Sequence, residues 1–163
     1  MGRKSTKQNK SIYQITREEL GFTRERAGDL MQGMSPERLE KIENGRAAVQ
    51  PEDVMLMAEA YKAPGLCNYY CTHECAIGQE KIPEIQEKTL SQIAVESLNG
   101  WNRLEKERDR LLEIVEDGQI TPDEYEDFLK IKETLEKISA ATDSLKLWME
   151  KQIAEGKITD LTD

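Results

Sequence analysis

The sequence predicts an all-α protein in which a small N-terminal domain of short helices precedes a long, coiled-coil-like antiparallel helical hairpin. Three observations predict this fold class. Up to residue 64, short stretches carry apolar residues at helical spacing, and most of them end at glycine. Beyond Pro83, apolar residues recur at alternating intervals of four and three over two long stretches. A short turn around Gly118 separates these stretches and makes them antiparallel neighbours.

The charge is distributed unevenly along the 163 residues. Residues 1–66 hold 11 basic and 10 acidic side chains, a net charge of +1, whereas residues 67–163 hold 12 and 22, a net charge of −10. An acidic surface repels phosphate, so the C-terminal part is not expected to bind nucleic acid. The basic surplus lies in residues 1–10, a polar segment that we expect to be a flexible arm.

Composition also predicts where the protein works. The N-terminus has no apolar run typical of a signal peptide, and no window approaches the roughly 20 apolar residues of a membrane span. Three cysteines within nine residues favour reduced thiols over a disulfide framework. We therefore expect a soluble, cytoplasmic protein without membrane partners.

The first two predicted helices have clear starts. Ser11 followed by Gln14 has the form of a capping box, and Thr23 has the side-chain oxygen that caps a second helix. Gly21 ends the first helix, and Gln32-Gly33 forms the turn after the second. The residues expected to face the core are Ile12, Ile15 and Leu20 in the first helix and Ala27 and Leu30 in the second.

The third predicted helix is bounded on both sides. Ser35 caps it, Pro36 suits its first position because the missing N–H would be unpaired there, and Gly45 suits the left-handed turn at its end. Leu39 and Ile42 should face the core, whereas the charged residues between them point elsewhere.

A fourth helix is predicted after an irregular link. It begins at Pro51, and Glu52 and Asp53 lie in its first turn, where negative charge favours the helix dipole. Its expected inward face consists of Val54, Met57, Ala58 and Tyr61.

These four helices resemble the lambda-repressor-like, Xre-type helix-turn-helix family over residues 11–64. The resemblance rests on ITREELGFT at 15–23, MSPERLEKIENG at 34–45 and VMLMAEAY at 54–61. It implies a DNA-binding domain at residues 11–65. It also implies that Arg17 pairs with Glu43, which would tie the first helix to the end of the third.

Two departures from the family pattern affect the surface that would meet DNA. The stretch between Thr23 and Ser35 is one residue longer than the usual spacing, with Gly28 or Asp29 where a small alanine is common. Pro36 stands where the family often has a DNA-contacting side chain, but proline offers no donor or acceptor to a base edge.

The resemblance implies that the third helix, residues 35–44, enters the major groove of double-stranded DNA. We expect base contacts from Arg38, Lys41 and Glu37, and phosphate contacts from Thr23, Arg24, Ser35, Asn44 and Arg46. Because phosphate contacts dominate such affinity, a single domain with few surplus cations should bind weakly, and a dimer should bind better.

The predicted function is therefore a bacterial-type, sequence-specific transcriptional regulator that acts as a homodimer. No enzyme activity and no cofactor are expected, since the sequence has no Ser/His/Asp set, phosphate-binding glycine loop or paired-carboxylate signature. Two alternatives stay open. One is a protein-interaction module, such as an antitoxin or adaptor, whose acidic hairpin binds a partner. The other is a metal- or redox-responsive regulator.

The second alternative depends on a cysteine-containing connector at residues 66–82. Cys67, Cys71 and Cys75 recur every four residues, and with His73 they make up the ligand count of a structural zinc site. One straight helix cannot surround an ion, so metal binding would need a helix break near Thr72 or Glu74. The cysteines are otherwise expected to pack as small apolar residues, or to sense redox state if exposed near cations.

Residues 83–157 are predicted to form the hairpin, followed by a tail at 158–163. The first helix, expected from Glu84 to Glu116, has the stripe Leu90, Ala94, Ser97, Trp101, Leu104, Arg108, Leu111 and Val115, flanked by Ile93, Leu98 and Leu112. Thr121 and Glu124 form a capping box for the return helix. Its stripe is Phe128, Ile131, Leu135, Ile138, Thr142, Leu145 and Met149. Apolar area left over predicts dimerisation through 83–157, with folding back onto the N-terminal domain as the alternative.

Overall fold

The computed structural model describes residues 9–158 and confirms the all-α fold class. Within that range it contains eight helices and no strand. The helices are α1 (Ile12–Glu19), α2 (Arg24–Leu30), α3 (Pro36–Glu43), α4 (Pro51–Tyr61), α5 (Gly65–His73), α6 (Ala76–Lys81), α7 (Leu90–Val115) and α8 (Tyr125–Ala154). Residues 1–8 of the expected arm and 159–163 of the expected tail lie outside the described residues.

The chain divides into two compact units. Residues up to Glu84 and those from Glu150 onward form the first, and Ile85–Met149 form the second. The C-terminal end of α8 therefore belongs to the N-terminal unit, whereas the sequence analysis assigned it to the hairpin. In this first unit the carboxylate of Glu150 lies near Cys67. Among the described residues, no helix combines the length and the apolar character needed to cross a membrane.

The first three helices begin at their expected caps. The hydroxyl oxygens of Ser11, Thr23 and Ser35 each accept a hydrogen bond from the backbone N–H three residues later, at 3.1–3.2 Å. Each bond satisfies one of the orphan donors at a helix start. Gly45 follows the C-cap of α3 with a positive φ of 67°, a conformation that a side chain would strain.

The inward face of α1 differs from the predicted one. Ile15 and Leu20 are exposed, and the helix instead buries Tyr13, Gln14 and Arg17. Polar groups reach inside because they have partners there: the Tyr13 hydroxyl donates to Glu74 at 2.8 Å, and the Gln14 amide donates to Glu18 at 2.8 Å.

The core of the N-terminal unit is completed by α2, α3, α4 and the first turn of α5. The predicted inward residues of α3 and α4 are buried, but Leu30 of α2 is exposed. Met31 and Met34 take its place, because α2 ends at Leu30 and the extended backbone of Met31 turns the next side chains inward. The principal buried residues are Ala27, Met31, Met34, Leu39, Ile42, Val54, Met57, Tyr61 and Leu66.

The connector forms two short helices that fold against each other. The break lies at Glu74 and Cys75, between α5 and α6. Gly78 is buried at the contact, and a Cβ added there would overlap the backbone carbonyl group of Cys71, with its carbonyl carbon only 2.7 Å away. This α5–α6 contact therefore requires glycine at position 78.

The second unit is an antiparallel hairpin of α7 and α8, as predicted. The guanidinium of Arg110 donates to Asp127 at 2.9 Å near the turn, and Gly100 faces Ile138 farther along. The start of α7 was predicted too early. The helix begins at Leu90, because Thr89 forms a capping box with Gln92.

The face that α7 turns toward α8 also differs from the prediction. We call it the inner seam; its members are buried or half-buried, and they are Ile93, Ser97, Gly100, Leu104, Glu107, Leu111 and Ile114. The predicted stripe shares Ser97, Leu104 and Leu111 with this seam, but Leu90, Trp101 and Val115 are exposed. Gly100 explains the difference, since its missing Cβ lets Ile138 approach α7 closely.

The buried face of α8 also differs from the predicted stripe. Ile131 is buried as predicted, but Leu135 and Met149 are exposed, and the small residues Thr134, Ala141 and Ser144 are buried. The two hydroxyl groups donate to backbone carbonyls one turn earlier, at 3.1 Å for Thr134 and 2.9 Å for Ser144. Small residues thus occupy buried positions of α8, and the hydroxyl groups of two of them are satisfied within the helix.

Candidate nucleic-acid interface

The candidate interface is built on α2, α3 and the turn between them. A Cβ at Gly28 would lie 3.1 Å from the Met34 carbonyl oxygen and 3.3 Å from the Pro36 ring. These distances are tighter than ordinary packing, so the absent side chain lets the turn pass close over α2.

The buried carboxylate of Glu43 joins the end of α3 to α1 and to the start of α2. Glu43, at the end of α3, accepts from Arg17 Nε at 2.5 Å and from Arg17 Nη2 at 2.9 Å. It also accepts from Arg24 Nε at 2.9 Å. The Glu43 side chain is fully buried and that of Arg17 is 6% exposed. The structure therefore contains the Arg17–Glu43 pair that the resemblance implies, with Arg24 as a second cation.

Arg17 also fixes the chain between α1 and α2, because its Nη1 donates to the Phe22 carbonyl at 2.5 Å. Burial alone would lower the pKa of Arg17, but the hydrogen bond and the charge of Glu43 raise it above its ordinary value. The guanidinium thus stays charged and oriented. Arg24, an expected phosphate contact, has its Nε on Glu43 while 31% of its side chain remains exposed.

Arg38, an expected base contact, is held by its own chain. Its Nε donates to Asp53 Oδ1 at 2.8 Å, and its Nη2 donates to Asp53 Oδ2. Asp53 also accepts from the Gln50 backbone N–H at 2.9 Å, so this carboxylate both caps α4 and orients Arg38. The sequence pattern places Asp53 only in the first turn of α4, because nothing local links it to Arg38, fifteen positions away.

The Asp53 contacts predict a specific acid sensitivity. Burial would raise the pKa of Asp53, but hydrogen bonds from Arg38 and from the Gln50 N–H outweigh it and lower the pKa. A carboxyl with a depressed folded-state pKa stabilises the fold above its unfolded pKa, about 3.9, and that stabilisation is lost as pH falls through the folded value. Urea unfolding at several pH values should show Asp53→Asn less stable than wild type at pH 7, with the difference vanishing in acid. A difference independent of pH would contradict this role.

Glu37 and Lys41 both lie on the exposed side of α3, one turn apart. The pKa of Glu37 is lowered by hydrogen bonds at the start of α3, with a smaller effect of the nearby Lys41 charge. In the part of the chain that the structure describes, neither Lys41 nor Arg46 forms an ion pair with a carboxylate. These two cations therefore remain available to an external anion.

The remaining expected phosphate contacts lie around the same helix ends. The hydroxyl oxygens of Thr23 and Ser35 are acceptors in the caps, and the hydroxyl groups also donate to the carboxylates of Glu25 and Glu37, whose pKa values are lowered by backbone hydrogen bonds and by these hydroxyl bonds. The side-chain amide of Asn44 donates to the Glu40 carbonyl at 2.9 Å. Helix-start hydroxyls, a helix-end amide and nearby arginines form the polar set that positions proteins on a phosphate backbone.

The connector does not assemble the predicted metal ligands. Although the chain breaks near Glu74, no group of three or more His, Cys, Asp or Glu side chains within residues 9–158 is arranged to hold a metal ion. The His73 ring stacks on Tyr69, with centroids 4.2 Å apart, and its Nδ1 lies 2.8 Å from the Thr72 hydroxyl. Cys67, Cys71 and Cys75 are therefore free thiols that do not form a common ligand set within the described residues.

The environment of Cys67 also opposes thiolate formation. Cys67 is exposed on α5, but partial burial, with smaller effects of the nearby Cys71 thiol and Glu150 carboxylate, raises the pKa of its own thiol. A redox-sensing thiol needs the opposite, a pKa lowered by cations. Cys71 and Cys75 are half-buried, in keeping with packing between α5 and α6.

Comparison with known proteins identifies the N-terminal unit by its sequence. Residues 14–66 match the family model of a helix-turn-helix domain. The match extends from within α1 to the first turn of α5 and includes the Arg17–Glu43 pair. Comparisons with curated proteins and with solved structures found no match to this chain.

Proposed function

We propose, from the helix-turn-helix domain of residues 14–66, that this protein is a sequence-specific DNA-binding transcriptional regulator that acts as a dimer. The observation that carries the proposal is the exposed side of α3, which presents Glu37 and Lys41 on a helix anchored to its neighbours by two ion-pair systems. A rigidly held helix with exposed polar side chains suits the major groove, which admits one α-helix.

Base reading is assigned to Lys41 and Glu37. A lysine suits the guanine O6 and N7 acceptors, and a glutamate accepts from the cytosine amino group. Arg38 contributes from the side of the helix through Nη1, since its Nε and Nη2 are engaged by Asp53. Pro36 packs near Gly28 and supplies shape instead of a hydrogen bond.

Phosphate contacts orient α3 on the duplex. Arg46, just beyond α3, and the exposed part of Arg24 supply charge. Thr23, Ser35 and Asn44 supply neutral polar groups, and the two hydroxyl groups would turn from Glu25 and Glu37 to the phosphates. A twofold dimer would place two third helices in successive major grooves about 34 Å apart. Doubling the phosphate contacts compensates for the weak charge surplus of one domain.

The two available cations should respond differently to substitution. Arg46→Ala should weaken binding similarly on all duplexes and reduce the slope of log K against log salt by about 0.9 for each phosphate that is no longer neutralised. Lys41→Ala should cost about 1–3 kcal/mol on the preferred sequence and relax the preference at one position. Fluorescence anisotropy over a salt series, on random duplex and on a duplex selected from it, measures both effects.

The matched control is Lys81→Ala, which removes an exposed lysine of α6 that forms no ion pair among the described residues. It should leave both affinity and salt slope unchanged. Absence of duplex binding by wild-type protein at low salt, or binding that is insensitive to salt, would sink the proposed function.

An interaction module is the second candidate, favoured by the net charge of −10 on residues 67–163. An acidic adaptor would bind a basic partner and leave duplex DNA unbound. Truncation at residue 84 is a poor test, because the N-terminal unit includes residues from Glu150 onward. Direct DNA titration of the full chain distinguishes the two candidates.

A further inference from the structure

One face of α7 remains uncovered although it is patterned like a helix–helix contact. Four apolar side chains on it are 50–61% exposed with the whole described chain in place. We call this face the outer seam. Its six members are separated by three, four, three, four and three residues, and they are Leu98, Trp101, Glu105, Arg108, Leu112 and Val115.

The outer seam is distinct from the contact with α8. It lies beside the inner seam on the same helix, and an open groove lined by Trp101, Leu104, Leu111 and Leu135 runs along the boundary between them. A helix with two neighbouring seams at four-three spacing is typical of a bundle, in which each helix contacts two others. The hairpin supplies only one of these contacts.

The order of residues in the outer seam is symmetric about its centre. In an antiparallel pair of identical helices, residue i of one copy faces residue j of the other, and j also faces i. With the twofold axis between Glu105 and Arg108, Trp101 faces Leu112 and Leu98 faces Val115, each contact occurring twice. All apolar residues of the seam then meet apolar residues.

The same register also pairs the charges. Glu105 of each copy faces Arg108 of the other, so the two charged layers are complementary. A parallel, in-register pair would instead set Glu105 against Glu105 and Arg108 against Arg108, and like-charge contacts are costly. Charge therefore selects the antiparallel arrangement.

Arg108 has one contact to give up on pairing. Its Nε donates to Asp109 at 3.0 Å, but the two side chains are 66% and 80% exposed. An exposed ion pair of this kind contributes little, so its loss is a small cost beside the burial of the seam.

We propose that two copies of this chain associate through the outer seam of α7, antiparallel and about a twofold axis between Glu105 and Arg108. The inference deepens the proposed function by specifying the dimer, but it does not require DNA binding. Its test contains no DNA, so failure of this dimer and failure of the regulator are distinguishable.

Charge reversal in the full-length chain tests the register. Glu105→Arg and Arg108→Glu should each raise the dimer dissociation constant at least about tenfold, because each variant creates two like-charge layers. An equimolar mixture of the two variants should recover the dimer, because one copy then presents arginine at both positions and the other presents glutamate at both. The variant that carries both changes should form a homodimer again, since its two charged layers are complementary with the signs exchanged.

Sedimentation velocity measures the mass, which should double from the monomer value of 18.7 kDa. The control is Lys106→Glu, an exposed reversal on α7 outside both seams, which should leave the dimer unchanged. Circular dichroism should show unaltered helix content in every variant. A monomeric wild type at micromolar to submillimolar concentration, single variants that dimerise like wild type, or a mixture that stays monomeric would each overturn the proposal.

Discussion

Replacing Glu43 by glutamine should lower the free energy of unfolding by about 3–5 kcal/mol, the usual cost of removing one partner from a buried ion pair. The side chain is fully buried and accepts from both Arg17 and Arg24. Glutamine retains the shape but leaves the Arg17 guanidinium, 6% exposed, with only the more distant Glu18 carboxylate, 3.9 Å away, as a compensating charge. Urea unfolding followed by circular dichroism measures the loss.

Glu40→Gln is the matched control, because Glu40 lies on α3 but is exposed. Its effect should be within about 0.5 kcal/mol. A double change, Arg17→Met with Glu43→Leu, should be less destabilising than Glu43→Gln alone, because it removes the stranded charge along with its partner. Equal effects of Glu43→Gln and Glu40→Gln would show that the buried pair does not hold this unit together.

Replacing Gly78 by alanine should destabilise the N-terminal unit although alanine favours a helix by about 1 kcal/mol. The new methyl group would overlap the Cys71 carbonyl, a backbone group that cannot rotate away. We expect the α5–α6 contact to open, at a cost of about 1–3 kcal/mol. Hydrogen exchange should then be faster at the α6 amides, and thermal unfolding should begin at lower temperature.

Gly100→Ala provides the comparison. Its Cβ would meet Ile138 Cγ1 at 2.7 Å, but that atom belongs to a side chain that can change rotamer. The substitution should therefore cost less than Gly78→Ala. If Gly78→Ala stabilises the protein as helix propensity alone predicts, the close α5–α6 packing is contradicted.

Local chemistry explains why much of the fold could be predicted. The starts of α1, α2 and α3 depend on Ser11, Thr23 and Ser35, whose side chains reach only three residues ahead. Such contacts are visible in the sequence because both partners are near each other in the chain. The family resemblance added one long-range contact, Arg17 with Glu43, that no local pattern indicates.

The inner seam of α7 could not be chosen by spacing alone. Ser97, Leu104 and Leu111 fit a four-three pattern in two ways. One pattern adds Trp101 and the residues seven positions before and after it. The other adds Gly100 and the residues seven positions before and after it, each one position earlier than in the first pattern. The pattern with Trp101 contains a large apolar residue where the other has glycine, so the sequence favours it as the face toward α8. The pattern with Gly100 faces α8 because small residues allow the closest approach, a property of the partner helix as much as of α7.

Helical spacing also predicts only part of the candidate nucleic-acid interface. Lys41 and Glu37 could be placed on the exposed side of α3 by helical periodicity. The engagement of Arg38 by Asp53 depends on where the first turn of α4 lies relative to α3, which spacing within either helix does not specify. A long side chain such as Arg38 is therefore easily predicted to be free for a ligand when another helix of the same chain engages it.

Asp53 has two structural roles, capping α4 and orienting Arg38, which a single substitution would separate. Asparagine would still accept the Gln50 N–H at the start of α4, but it lacks the charge that holds Arg38 in place. Aspartate and asparagine codons differ by a single base. On the proposed function, one point mutation would therefore free the Nε and Nη2 of Arg38 for the groove, and operator preference would change during evolution while every residue of α3 stayed the same.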